Sequence, residues 1–434
     1  MADVRAFRGI HYNDSLLKDL SAVICPPYDI ISPEQQQELY AKNDHNFVRL
    51  EDNRELPQDT ATDNKYIRAA AVLERWLNET VLETDKEPTI YLHDHYFTYQ
   101  RKQYRRRALI TCVKLEEWDK MIVRPHEGTL TEARGDRLSL LWALQANTSP
   151  ILAFFEDGEK QIASALKTQE KITPLMSYRD GSGEGHDVRA ITDPEVIVKI
   201  TGSLAGQPLY IADGHHRYES ALTYRQERHD AASSASLDAP YNFVMMTLVD
   251  ITDPGLLILP PHRLVRGISK SALNELMDKL KVFFEIEELP LAGGWKQVDT
   301  ILSQADGVNI TLYGLDGESL FILKLLNSDT ISHMMPYFHS ELYRNLDVSI
   351  VDHVILENLL AMSHGNEKTN LNYCYDRQDA INRVISQEYQ LALLIRPSTP
   401  ELIKAVADTG DKMPRKSTYF YPKMPSGLVF NRLV

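Results

Sequence analysis

Residues 207–225 read QPLYIADGHHRYESALTYR, and the rest of the chain is organised around this run. Tyr210, Ile211 and Ala212 have the apolar character of a buried strand about to end. Asp213 and Gly214 follow as a tight turn, after which Tyr218, Ala221 and Leu222 recur at helical spacing. The sequence therefore predicts strand, turn and helix, with His215, His216 and Arg217 at the helix start. Backbone N–H groups in a first helical turn lack intrahelical partners and sit at the positive end of the helix dipole, so they attract an anion. An arginine fork adds charge-assisted hydrogen bonds. Gly214, His215, His216 and Arg217 are thus expected to hold a phosphate. Asp213 is placed to bind a metal ion, to orient a histidine or to cap the helix.

Upstream, Cys25-Pro26-Pro27-Tyr28-Asp29 reads as a strand running into a rigid turn. Ser32 follows as a helix cap, Pro33 as the first helical residue and 34–40 as helix. The prolines present Tyr28 and Asp29 together, either as site residues or as ordinary turn chemistry with a buried tyrosine. An amphipathic helix is expected over 64–82, ending near Asn78. Residues 90–113 alternate as a hairpin. His93 and His95 share one face of it, and a period-two pair without a third ligand reads as a solvated or hydrogen-bonded strand face rather than a metal site. Arg101, Lys102, Arg105, Arg106 and Arg107 form the strongest basic cluster, either a group that meets phosphate or, more simply, an exposed hairpin tip.

Val123-Arg124-Pro125-His126-Glu127-Gly128-Thr129 is a strand leading to a loop, followed by a helix over 132–145 with Leu138, Leu141, Trp142 and Leu144 on its apolar side. Pro125 and Gly128 bracket His126 and Glu127 at a junction of the kind that often carries function. Simple ion pairing of Glu127 with Arg124 or Arg137 is the alternative. A strand is expected over 149–156, and Asp193 and Pro194 open a short helix over 195–200.

Downstream, 231–239 (AASSASLDA) reads as an exposed loop and 243–249 as a strand. Pro260-Pro261-His262-Arg263 again delivers a His-Arg pair after a rigid turn. Near the C-terminus, MPRKSTYFYPK (413–423) places Lys416, Ser417 and Thr418 side by side, a grouping able to hold a phosphate. The aromatic residues beside it could cover a base, or Tyr419 and Tyr421 could simply pack a last strand. The glycines of a GxxxxGK[ST] loop are missing.

With 434 residues the chain is expected to form two or three domains, and 43% apolar with 25% charged residues is the composition of a folded protein. The net charge of −14 opposes binding to nucleic acid. Cys25, Cys112 and Cys374 are widely spaced, which suggests neither a disulfide framework nor a cysteine zinc site. No signal-peptide core or membrane span is read, so a cytoplasmic location is expected.

The stretches CPPYDIISPEQ, VRPHEGTL with GDRLSLL, YIADGHHRYESAL, ITDPGLLILPPHRLV and MPRKSTYFYPK together resemble the family called domain of unknown function 1015, from near residue 24 to near 423. RPHE before a helix, then a strand ending in DGHHRY and a second helix, is more distantly similar to the ParB and sulfiredoxin-like superfamily, above all to its free-serine kinases. That resemblance implies an α+β fold with a ParB-like nucleotide- and phosphate-binding core at 108–260. An N-terminal α/β segment at 1–107 and an α/β part at 261–434 would flank it. It further implies phosphoryl transfer between ADP or ATP and free serine, or the reverse from phosphoserine, with Mg2+. Glu127 would be the general base and Asp213 a catalytic and metal-binding partner. Phosphate would be held by Gly214, His215, His216 and Arg217, with Lys416, Ser417 and Thr418 as further candidates. His126, Thr129, Arg137, Arg263, Tyr28 and Asp29 are the candidates for substrate contact. A homo-oligomer is compatible with this reading. A nucleotide-controlled adaptor of ParB type and a phosphatase or nucleotide hydrolase are the other functions that use the same pocket.

Overall fold

A computed structural model of the protein describes residues 2–434 except 130, 232–235, 294–297, 299, 301, 303–306 and 363–366. The expected loop at 231–239 therefore lies partly outside the described residues. The chain is mixed α/β and forms two compact units. The first comprises Met1–Pro125, Thr129–Leu257 and Pro422–Val434; the second comprises His126–Gly128 and Ile258–Tyr421.

The first unit is built on a large mixed sheet. Its strands run in the order Val123–Arg124, Leu209–Asp213, Ile151–Phe155, Phe243–Asp250, Lys102–Lys114, Ile90–Tyr99, Gly185–Ile191 and Met176–Arg179, and Val4–Arg5 also pairs with Lys102–Lys114. The boundary expected at 107–108 falls inside the strand Lys102–Lys114, so the N-terminal hairpin and the motif-bearing strands share one sheet. Because successive strand residues face opposite sides, each strand supplies both faces. Val244, Met246 and Leu248 join one core with Leu209, Ile211 and Tyr218, while Phe243 and Met245 join another with Tyr91 and Trp76. Both faces are covered, which is why these strands read as nearly continuous apolar runs.

Local signals decide where the helices begin. Ser32 Oγ accepts the Gln35 N–H at 3.2 Å ahead of the helix Pro33–Lys42. Asn64 caps Lys65–Asn78, and Asp193 caps Pro194–Ala205. That last helix outruns the expected 195–200, since Gly202 lowers helix propensity without breaking a helix whose Ile200 and Leu204 are buried. Trp142 is not on the buried side of Thr131–Leu144; it is 38% exposed, with its indole N–H on Glu227 at 2.6 Å. Among the described residues no helix is long and apolar enough to cross a membrane.

The second unit carries a six-stranded antiparallel sheet in the order Phe284–Pro290, Ser319–Leu325, Asn309–Tyr313, Leu391–Leu394, His262–Val265 and Leu371–Cys374. Leu264, Ile322, Ala392 and Leu394 lie in its core. Arg263 has no exposed surface, and its guanidinium meets Asp352 at 3.0 Å through both Nε and Nη2 while Nη1 donates to Pro261 O at 2.7 Å. These donors serve the fold of this unit. Removing the carboxylate would strand a buried charge, so Asp352→Ala is expected to cost about 3–5 kcal/mol. Urea unfolding of the variant beside the wild type measures this, and an unchanged midpoint would contradict it.

Candidate functional site

The 207–225 run folds as its residues dictate. The strand Leu209–Asp213 ends in a bulge, its register against Ile151–Phe155 shifting between Ile211 and Asp213. Strict alternation would send Asp213 to the same face as the core residues Leu209 and Ile211; the extra residue at Ala212 re-aims it. Gly214 then takes φ +98°, a conformation costly for other residues, and a Cβ there would meet the Arg217 guanidinium at 3.0 Å. Gly214 O accepts the Tyr218 N–H at 3.0 Å, closing the first turn of the helix His215–Ala231. His215 is buried and His216 half-buried.

Around this turn the first unit gathers a ring of charges. Arg217 Nη2 donates to Asp213 Oδ2 at 2.7 Å, and Arg217 Nη1 to Pro150 O at 2.6 Å. Lys423 Nζ donates to the other Asp213 oxygen, Oδ1, and lies 3.5 Å from Asp29. Burial alone would push the Asp213 carboxyl up; Lys423 and Arg217 outweigh it and hold the group well below the usual carboxylate range. The metal role expected of Asp213 does not fit this arrangement, because a divalent ion on that carboxylate would face two cations already within hydrogen-bonding reach. Arg137 is buried, stacks 3.8 Å over the Tyr28 ring, bonds Asp136 through Nε and Nη2, and lies 3.5 Å from Glu51. Burial raises the Tyr28 phenol, with Arg217 and Arg137 pulling the other way. Tyr28, Asp29, Arg137, Asp213 and Arg217 are thus brought together. Thr129 is held by its hydroxyl on Glu219.

In the second unit, Glu127 sits beside Met413, whose N–H donates to His126 O at 2.7 Å. Glu127 Oε1 accepts the Ser417 N–H at 3.1 Å and the Thr418 hydroxyl at 3.2 Å. Since a carboxylate only accepts, Thr418 Oγ1 spends its proton there and receives the His126 Nε2–H at 3.0 Å. Ser417 and Thr418 therefore position Glu127 and His126. Lys416 is exposed, in a left-handed turn with φ 58°.

In the first unit the His93 and His95 pair is hydrogen-bonded rather than solvated, and the basic run departs from its expected place. His93 and His95 are fully buried, and His186 from the strand Gly185–Ile191 completes a stack with ring centroids 4.1 Å from His95 and 5.3 Å from His93. His95 Nε2 is 2.7 Å from Glu184, and His93 Nε2 is 3.1 Å from His186 Nδ1. The basic run is split, not a common exposed tip. Arg106 is fully buried and donates to His95 Nδ1 at 3.1 Å and Pro422 O at 2.9 Å, while Arg107 pairs with Asp94 at 2.7 Å. His95, Glu184 and His186 have the separations of a metal site, but their proton inventory opposes one. Arg106 only donates, so His95 Nδ1 must accept and the proton sits on Nε2, pointing at Glu184 rather than leaving a lone pair for a metal.

A family model described as a protein of unknown function, DUF1015, matches residues 4–349, most of the chain. The chain belongs to the DUF1015 family. No curated protein matches it. Solved structures similar to it include a conserved hypothetical protein from Pyrococcus furiosus, 14% identical, with 74% of this chain and 95% of that one covered and a TM-score of 0.36. A mutant free serine kinase in complex with ADP is 13% identical over 74% of this chain and 92% of its own, with a TM-score of 0.38. SbnI with a C-terminal truncation, from Staphylococcus aureus, is 11% identical over 73% and 85%, with a TM-score of 0.34. The DUF1015 match takes in Tyr28, Glu127, Arg137, Asp213 and Arg217 and stops before Ser417 and Lys423. Lys423, Glu51 and the His186 partner of the histidine pair were not singled out from sequence. Lys423 stands in the quoted 413–423 run, but the Lys-Ser-Thr grouping drew the phosphate reading to Lys416.

Proposed function

We propose that this protein is a nucleotide-dependent phosphotransferase on a ParB-like core, moving a phosphoryl group between ADP or ATP and a small hydroxyl-bearing amino acid. Free serine is the first candidate, with the reverse transfer from phosphoserine using the same groups. One observation carries the reading: the turn at 213–217, where a glycine with positive φ opens a 17-residue helix beside Arg217 and Lys423. Backbone N–H groups at such a helix start, with the nearby cations, suit phosphate oxygens. Phosphoryl transfer needs mainly alignment and charge neutralisation, together with a carboxylate to take the proton of the attacking hydroxyl. Glu127 is assigned that proton on the resemblance of its His-Glu motif to that of free-serine kinases. Mg2+ in this reading travels with the nucleotide, whose oxygens and waters supply most of its ligands. The choice of serine rests on the His-Glu and Asp-Gly-His-His-Arg motifs, which resemble those of free-serine kinases.

Incubating the purified protein with serine, Mg2+ and ADP or ATP is expected to yield O-phosphoserine. Nucleotide alone is expected to raise the melting temperature, because a ligand that binds only the folded state stabilises it. No product with any common nucleotide would overturn the reading. Release of inorganic phosphate without transfer to serine would select a hydrolase.

A further inference from the structure

Beside the 213–217 turn, the first unit forms a small, partly open cavity lined in part by Glu51, Arg137, Asn147, Ser149, Arg217 and Ser220. Two of these side chains carry a buried polar atom that no protein group meets: Glu51 Oε2 and Arg217 Nε. Such orphans are rare in folded proteins, and each asks for a partner the chain does not supply. Their needs are opposite. Glu51 is only 1% exposed; its Oε1 is engaged by the Ser149 hydroxyl and faces Arg137 at 3.5 Å, while its second oxygen lacks a donor. Arg217 has committed Nη1 to Pro150 and Nη2 to Asp213, so Nε–H is the donor still lacking an acceptor.

A ligand that satisfies both must offer a cationic donor and an anionic acceptor within one small cavity. A free α-amino acid does so on a single carbon. We infer that this cavity takes the head group of a free amino acid, with Glu51 Oε2 accepting from its α-ammonium group and Arg217 Nε–H donating to its α-carboxylate. Ser149 fixes the Glu51 carboxylate from behind, and Arg137 Nη1 lies 3.5 Å from the same oxygen, Oε1. The assignment moves Arg217 toward the acceptor and leaves Lys423 and the helix-start N–H groups to the phosphate. It deepens the phosphotransferase reading and rests on it for the fate of the hydroxyl, but the head-group contacts are a matter of binding alone.

The test is calorimetric titration of the full-length protein, with and without ADP, using L-serine, glycerate and ethanolamine. Glycerate replaces the ammonium with a hydroxyl, and ethanolamine lacks the carboxylate. Serine is expected to bind at least about tenfold more tightly than either, since a site built for a buried charged hydrogen bond rejects an analogue without it. Glu51→Gln keeps the shape and the Ser149 contact, and should weaken serine at least about tenfold with ADP affinity retained. Equal affinity for glycerate and serine, or failure to bind any of a panel of free amino acids, overturns the inference with no variant needed. Serine binding undiminished in Glu51→Gln does the same. The two proposals fail separately. Serine that binds through Glu51 yet yields no O-phosphoserine with any nucleotide sinks the phosphotransferase reading and spares the cavity assignment. O-phosphoserine formed by Glu51→Gln with an unchanged KM for serine does the reverse.

Discussion

Glu127→Gln is expected to lower the rate of phosphoserine formation by about 10²–10⁴, the usual contribution of a positioned general base. The substitution isolates basicity from structure. A glutamine carbonyl oxygen can still accept from the Ser417 N–H and the Thr418 hydroxyl, which hold Glu127 Oε1 at 3.1 and 3.2 Å. The relay from His126 through Thr418 is therefore retained, and the backbone pairing of His126 with Met413 does not involve the side chain. What the amide cannot do is take up a proton at neutral pH. The loss should fall on kcat, while stabilisation by ADP in a thermal-shift assay stays at the wild-type level. Turnover equal to that of the wild type would remove Glu127 from the chemistry, and loss of folding would show as a lowered melting temperature before any activity is measured.

What could be read from sequence follows from the range of the forces concerned. Ser32 and Asp193 announced their helices because a cap bonds an N–H two or three residues away. The strand, turn and helix around Gly214 were legible for the same reason, since a positive φ and a 3.6-residue period are local properties. The charge ring at the turn was legible only in part. Arg217 pairs with Asp213 four residues away, whereas Lys423 reaches the same carboxylate across 210 residues, a pairing no spacing rule anticipates. Lys416 was favoured over Lys423 because side-by-side Lys, Ser and Thr look like a phosphate grouping, yet Ser417 and Thr418 are occupied with Glu127. Arg106 and Arg107 look alike in a basic run. Their fates diverge because adjacent strand residues face opposite ways, one toward His95 and the other toward Asp94. His93 and His95 read as a pair without a partner because Glu184 is 89 residues distant from His95 in sequence.

That buried histidine stack leads to the second large effect, a steep loss of stability on acidification below pH 6.5. Burial holds His93, His95 and His186 well below the ordinary histidine range, with Arg106 pressing all three in the same direction. In the folded protein they stay neutral while the unfolded chain takes up three protons near pH 6.5. The unfolded state then binds more protons, and stability must fall as pH falls. Glu184 acts in the opposite sense. Burial, with Asp180 nearby, raises its carboxyl to about 7, so between that value and its unfolded value near 4.5 the folded state holds a proton that the unfolded state lacks. From these four groups, three protons gained on unfolding less one lost leaves two, a contribution to the slope of about 2.7 kcal/mol per pH unit. A fall of one and a half units would cost about 4 kcal/mol, a large share of the stability of an ordinary domain. Urea unfolding between pH 7.5 and 5.0 should show it. His93→Gln, which can still hydrogen-bond to His186 Nδ1, removes one titrating group and should flatten the slope by about 1.4 kcal/mol per unit. An identical slope in wild type and variant would mean that His93 is already protonated in the fold and contributes nothing to the acid sensitivity.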